Sequence, residues 1–379
     1  MLHFELNENR LKLFRNDTCI YNIIKGIELI GAGYAENSYS MNKGSFRIKE
    51  KEYVNRALNV KKIVLNENVA DITLEEGQVI LTADRDRLCA EFRNLPAYNR
   101  LIVSIPAEKG EHIYGTGETF TEFDLRGHKA NIWVAEHQNA DMLSKKNTKL
   151  KFGLYKDDKK RPFEDCETYY AQPTFLSSRK YYFHSFSTAR SVFDFTNEDR
   201  HILKIGSVDK FIIGFGDTFE EVVSDLSALL GRQPELPDWV YDGAILGIQG
   251  GTEIMTEKVE KCLNVNTAGN GVWIQDWEGR RVTAFGKQLQ WNWEWDRELY
   301  PGLDKAIKTF NEKGIKVLGY CNPFLAIEKP LYKEASEKGY CVKNKDGYDY
   351  YVTITTFPAA MVDLRIPDAW NWLKEIVKK

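Results

Sequence analysis

Two hydrophobic rhythms divide the chain. Up to about residue 215 the apolar residues come in short runs: Ile63-Val64-Leu65, Leu101-Ile102-Val103, Tyr181-Tyr182-Phe183, Val192-Phe193-Asp194-Phe195 and Phe211-Ile212-Ile213, each bounded by polar turns. Between residues 70 and 83, Ile72-Thr73-Leu74 and Val79-Ile80-Leu81 flank Glu75-Glu76-Gly77, which predicts a hairpin. Many short strands of this kind, with no repeat period, predict a β-sandwich. The rhythm then changes. Phe219, Val222, Val223, Leu226, Leu229 and Leu230 recur at helical spacing, Thr218 and Glu221 have the spacing of a capping box, and Gly231 supplies a stop. Gln233-Pro234-Glu235-Leu236-Pro237 reads as a linker, because two prolines three apart disfavour regular structure.

After Trp239 strands and helices alternate. Strands are expected at Ala244-Ile245-Leu246, Gly271-Val272-Trp273-Ile274 and residues 316–320, and helices at about 253–263, 303–313 and 331–338. Repeated βα units imply a parallel sheet or a barrel. Pro367 opens a last helix with Trp370, Leu373, Ile376 and Val377 on its apolar face, and the sequence ends inside it at Lys379. The stretch from Trp239 onward is far shorter than the ~250 residues of a whole (β/α)₈ barrel. The pattern alone therefore leaves two readings: about half a barrel, or a small open α/β domain.

Composition narrows the function classes. The 379 residues carry 52 basic and 55 acidic side chains, a net charge of −3, and so lack the basic excess that nucleic acid or an anionic membrane surface would need. No apolar run approaches the ~18 residues of a membrane span, and the N-terminus lacks the layout of a signal peptide. Six cysteines without a CxxC pair or neighbouring histidines are expected to be reduced thiols in a cytoplasmic protein, with no metal site.

Chemistry is best sought where strands end. Gly115-Thr116-Gly117-Glu118-Thr119-Phe120 begins like a dinucleotide fingerprint but lacks the third glycine and lies among strands, which favours a tight turn. Ile248-Gln249-Gly250-Gly251-Thr252-Glu253 follows the first βα-type strand. Gln249 would present a neutral amide to a cleft, or the segment is a plain βα turn. Gln275 and Asp276 close the next strand and suit sugar hydroxyls, since an amide both donates and accepts; a solvated loop carboxylate is the bland alternative for Asp276. Eight of the nine tryptophans lie from Trp239 onward, and Trp291-Asn292-Trp293-Glu294-Trp295 would place three on one face if extended, as a sugar platform or as core. No histidine occurs after His201, so carboxylate chemistry, of the kind glycoside hydrolysis uses, is the natural alternative to a triad.

The segments Leu229-Leu230-Gly231-Arg232-Gln233-Pro234-Glu235-Leu236-Pro237-Asp238-Trp239, Gly247-Ile248-Gln249-Gly250-Gly251-Thr252-Glu253, Gln275-Asp276-Trp277 and Val362-Asp363-Leu364 resemble glycoside hydrolase family 31, and more narrowly its bacterial sulfoquinovosidases. So do His112-Ile113-Tyr114-Gly115, Phe123-Asp124-Leu125-Arg126-Gly127 and Gln172-Pro173-Thr174-Phe175-Leu176. The resemblance implies an α+β multidomain fold: an N-terminal β-sandwich with a terminal linker helix over 1–232, then an incomplete (β/α)₈ barrel over 233–379. It implies retaining, exo-acting cleavage of α-glycosides by two aspartates, without a cofactor. It also implies a sugar site that includes Gln249, Gln275, Gln288, Trp291 and Asp276.

Two departures qualify this. Where the resemblance puts an arginine on a sulfonate, this chain has Gln288, so a neutral glucoside is the alternative substrate; Lys287, Arg280 and Arg281 are the nearby cations. Both catalytic aspartates of the family would fall after Lys379, so no catalytic residue is expected in this chain, and Asp276 and Asp363 match other positions. The chain is then expected to be inactive alone, as a glycosidase fragment or a non-catalytic sugar-binding remnant. Its expected partners are a carbohydrate substrate and either the missing barrel half or a second copy.

Overall fold

The computed structural model describes all residues except 9, 24–29, 43–44, 96, 120–121, 135–165, 167, 266–268, 285 and 355–356; Phe120 therefore lies outside the described residues. The chain divides into two compact units, 1–39 with 48–232, and 40–47 with 233–379.

The first unit is built from sheets. Eight antiparallel strands run in the order Ile113–Thr119, Thr168–Ser177, Tyr181–Ser185, Phe211–Phe215, Arg87–Arg93, Gln78–Asp84, Val69–Leu74 and Val60–Asn66. A second sheet orders Lys129–Ile132, Ser191–Asp194, Arg200–Ile205, Arg100–Pro106, Ile30–Asn42 and Ser45–Ala57. Alternation along the strands explains the arrangement: Val79, Leu81 and Ala83 from one sheet and Leu101, Val103 and Ile105 from the other are buried in a single core, as in a β-sandwich. Leu2–Asn7, Arg10–Arg15 and Thr18–Ile23 form a small third sheet, whose Leu2, Leu11 and Leu13 join that core.

Tyr181–Ser185 and Phe211–Phe215 are buried at every position because a helix covers their outer face. This is Phe219–Leu230, whose Val222 packs with Tyr182 and Ile212, and whose Thr218 and Glu221 form the capping box that their spacing predicts. The glycine pair at Gly115 and Gly117 is not a turn. It is a doubly bulged stretch of strand with positive φ at Gly115, Thr116 and Gly117, and a Cβ on Gly117 would sit 1.8 Å from the Tyr170 carbonyl oxygen. Bulging, which sequence spacing does not encode, replaces the expected turn.

In the second unit, Ala244–Ile248, Gly269–Ile274 and Lys316–Gly319 form a parallel sheet in that order. Ile248, Val272 and Ile274 face Met255 and Val259 of helix Thr252–Asn264 and Leu303 and Phe310 of helix Leu303–Glu312. The alternate residues Ile245 and Trp273 are exposed. Simple βα alternation fails in two places. A hairpin, Arg280–Thr283 with Gly286–Leu289, follows the second parallel strand. An antiparallel sheet of Phe324–Ala326, Phe357–Met361 and Tyr351–Ile354 follows the third. Helices Pro330–Glu337 and Pro367–Val377 pack on that antiparallel sheet, with Ala335, Ala369 and Leu373 against Leu325 and Ala360. Among the described residues, no helix is long and apolar enough to cross a membrane.

Candidate active site

The parallel strands place three residues at their C-terminal ends: Gln249, Gln275 and Tyr320. The Gln249 amide donates to the Gln275 carbonyl. Tyr320 N donates to Ile274 O at 3.1 Å, and Trp277 Nε1 donates to Tyr320 O at 2.7 Å, tying the second and third strand ends together. The Trp273 and Tyr320 rings lie 6.1 Å apart. Gly250 and Gly251, with φ of 122° and 102°, turn the chain directly from Gln249 into the next helix; a Cβ on Gly251 would meet Leu299 O at 2.3 Å.

Asp276 holds this turn from within. It is 0% exposed and accepts from Gly250 N at 3.0 Å and from the Tyr300 hydroxyl at 2.5 Å, with Arg280 Nε 3.3 Å away. Burial and the Asp276 carboxylate raise the Tyr300 hydroxyl pKa. Its oxygens are enclosed by protein groups, and it acts on the site by fixing Gly250 beside Gln249.

Glu278 organises the tryptophan-rich segment. It is buried, and one of its oxygens accepts from Asn292 N and Trp293 N, both at 2.5 Å. With Trp293 at φ 51°, the segment turns rather than extends. The three indoles consequently do not share a face. Trp291 packs with Phe324 and Phe357, Trp293 against the core around Leu325, and Trp295 against the core around Ile248.

Burial pushes Glu278 up to about 7 from 4.5, although the two backbone N–H groups pull the other way. Between those values the folded chain holds a proton that the unfolded chain has lost, so stability falls as pH rises from about 4.5 to 7, by up to about 3 kcal/mol. Glu278→Gln should remove that slope. Urea unfolding followed by tryptophan fluorescence, wild type minus variant across this range, checks it, and a flat difference contradicts it.

Gln288 and Arg281 lie directly opposite each other in the hairpin, and Gln288 is half-buried. Trp291 is 7% exposed, with ring centroids 5.4 Å from both Phe324 and Phe357, and Tyr320 packs against the same group. The strand ends thus bring Gln249 and Gln275 together, and Tyr320 connects them to the aromatic group of Trp291. Sequence reasoning misses Tyr320, Phe324 and Phe357. Only Tyr320 carries a readable signal, as the residue that follows a strand.

Asp363 is gripped by Arg365, Nε to Oδ1 at 2.8 Å and Nη2 to Oδ2 at 2.7 Å, which pulls its pKa down. Among the described residues, no group of three or more His, Cys, Asp and Glu is arranged to hold a metal ion.

Residues 252–379 match the glycosyl hydrolases family 31 TIM-barrel domain. The chain is 39% identical over 360 residues to the sulfoquinovosidase of Escherichia coli K12, covering 92% of this chain and 52% of that protein. The chain belongs to glycoside hydrolase family 31. It is also 35% identical to the sulfoquinovosidase of Agrobacterium fabrum, covering 99% of this chain and 56% of that one. A solved family 31 sulfoquinovosidase from E. rectale, in complex with the aza-sugar inhibitor IFGSQ, superposes with a TM-score of 0.83 at 34% identity, covering 99% of this chain and 56% of that one. The chain thus spans about half the length of the curated relatives it matches.

Proposed function

We infer that this chain is the sugar-recognising part of a retaining, exo-acting α-glycosidase, with α-sulfoquinovosides as substrates. The observation that carries the reading is the pair of joined amides, Gln249 and Gln275, at the C-terminal ends of adjacent parallel strands. Ligands of barrel enzymes bind at that end, and paired amides offer both donors and acceptors to vicinal hydroxyls. The exposed Ile245 and Trp273 fit strands of a barrel whose interior face is covered by further strands.

Retaining hydrolysis needs a nucleophile and an acid/base ~5–5.5 Å apart, each free to reach the glycosidic bond. Asp276, Glu278 and Asp363 are each held by protein partners, so none of them fills either role. The 379 residues alone therefore bind sugar without cleaving it. The neutral amide of Gln288 favours a second reading, an α-glucosidase with an uncharged substrate.

Gln249→Ala and Gln275→Ala are each expected to weaken binding of a methyl α-glycoside about fivefold, one hydrogen bond's worth. Titration followed by tryptophan fluorescence measures this; unchanged affinity in both variants would remove the amides from the site.

A further inference from the structure

At one end of the β-sandwich the chain crosses twice between the two sheets. Strand Arg87–Arg93 leads across to Arg100–Pro106, and Arg200–Ile205 leads back to Phe211–Phe215. The crossings are neighbours, because Ala90 opposes Phe211 and Leu101 opposes Ile205. Between them lies a cavity of about 620 Å³, whose lining includes Phe92, Asn94, Tyr98, Asn99, Ser207 and Val208. Small-molecule sites have volumes of about 300–1,000 Å³.

The walls are fixed by bonds made within the protein. Arg100 Nη1 donates to Asn99 O at 2.9 Å and to Gly206 O at 3.3 Å, which ties the two crossings together, while its Nε is held by Glu50 at 2.7 Å. The Asn99 carboxamide accepts from Ala35 N and donates to Ala35 O, both at 2.9 Å. The Ser207 hydroxyl donates to Ser187 Oγ at 2.8 Å. Phe92, Tyr98 and Val208 pack against the sandwich core yet stay only half-buried. A ligand entering here has little left to order, which lowers the cost of binding.

The lining also restricts the ligand. Among the described residues no charged side chain lines the cavity. An anion would meet no cation there and an ammonium no carboxylate, so either would lose hydration without return. The lining offers aromatic and aliphatic surface beside two amides and a hydroxyl. After the bonds above, Asn99 keeps a second N–H and a second carbonyl lone pair, and the Ser207 oxygen can still accept. A sugar ring carries the matching chemistry, with a C–H face for the aromatic surface and a hydroxyl edge for the amides.

We propose that this end of the sandwich binds a neutral saccharide, its C–H face on Tyr98 and Phe92 and its hydroxyls on Asn94, Asn99 and Ser207. Every one of these residues belongs to the first compact unit, and none is in the group of Gln249 and Gln275. The cavity is thus a second carbohydrate site, and it stands whether or not the strand ends of the second unit bind a glycoside.

Hydrogen exchange of the whole chain, read by mass spectrometry, locates the site and grades it. The probes are methyl α-glucoside, maltose and, as an apolar ring, cyclohexanol. At least one of the two sugars should saturably protect peptides covering 92–99 and 206–208, and cyclohexanol should not. Tyr98→Ala should raise the half-saturating sugar concentration at least about tenfold, the size of a lost aromatic contact. Asn94→Gly should raise it about fivefold, one hydrogen bond's worth. Asn94 is exposed and left-handed at φ 56°, so glycine there suits the backbone and leaves the core intact; this variant keeps the test valid if Tyr98→Ala unfolds. Protection of neither segment by either sugar, or unchanged half-saturation in both variants, overturns the proposal. Equal protection by cyclohexanol shows an apolar hollow and overturns it as well.

Discussion

Asp276→Ala is expected to lower the unfolding free energy by about 3–5 kcal/mol, the loss that follows when one partner of a buried ionic cluster is removed. The carboxylate is 0% exposed, and its removal strands Gly250 N, the Tyr300 hydroxyl and one edge of Arg280 together. Asp276→Asn keeps an acceptor but loses the charge, and should cost clearly less. Denaturant unfolding followed by tryptophan fluorescence reads the change locally, since eight of nine tryptophans lie from Trp239 onward. A loss below about 1 kcal/mol for Asp276→Ala would mean that the turn holds itself.

Trp291→Ala carries the second large effect, about 3–5 kcal/mol. The indole is walled by Phe324 and Phe357, which arrive from separate strands, and by Leu289 and Tyr320, so the vacated space cannot close by moving one side chain. Trp291→Phe keeps a ring and should lose less than half as much. The same unfolding measurement decides. Equal losses for the two variants would show that ring volume is not what matters, and a negligible loss for Trp291→Ala would show that the cluster is not a packed unit.

What the sequence conveyed depended on how local the cause was. Helix Phe219–Leu230 was legible because its apolar period, its capping box and its glycine stop all lie within a dozen or so neighbouring positions. The hairpin at residues 280–289 was not, because Arg280-Arg281-Val282-Thr283 has no apolar alternation, and the ribbon is held by its ladder and by Asp276 and Glu328 elsewhere. The common face that an extended tryptophan segment would have is absent for a related reason. Its indoles diverge because Glu278 captures two backbone N–H groups from outside the segment and Trp293 takes a left-handed backbone.

At the site, Gln249 and Gln275 could be singled out from their position after strands, but their mutual bond needs the parallel register of Ile248 beside Ile274. Asp276 reads in the sequence as a sugar ligand, since a carboxylate at a strand end gives no sign of being enclosed. The ion pair of Arg281 with Glu328 and its contact with Phe357 form only when later segments of the chain fold against the hairpin.

On the proposed function, these residues recognise a sugar while the bond-breaking carboxylates are not among them. Its most direct test is to incubate the purified 379-residue chain with an aryl α-glucoside and an aryl α-sulfoquinovoside, recording tryptophan fluorescence and aryl release together. The expected result is a saturable fluorescence change on binding, diminished by Gln249→Ala, with aryl release no faster than in buffer. Catalysed release that Asp276→Asn, Glu278→Gln or Asp363→Asn abolishes would contradict it.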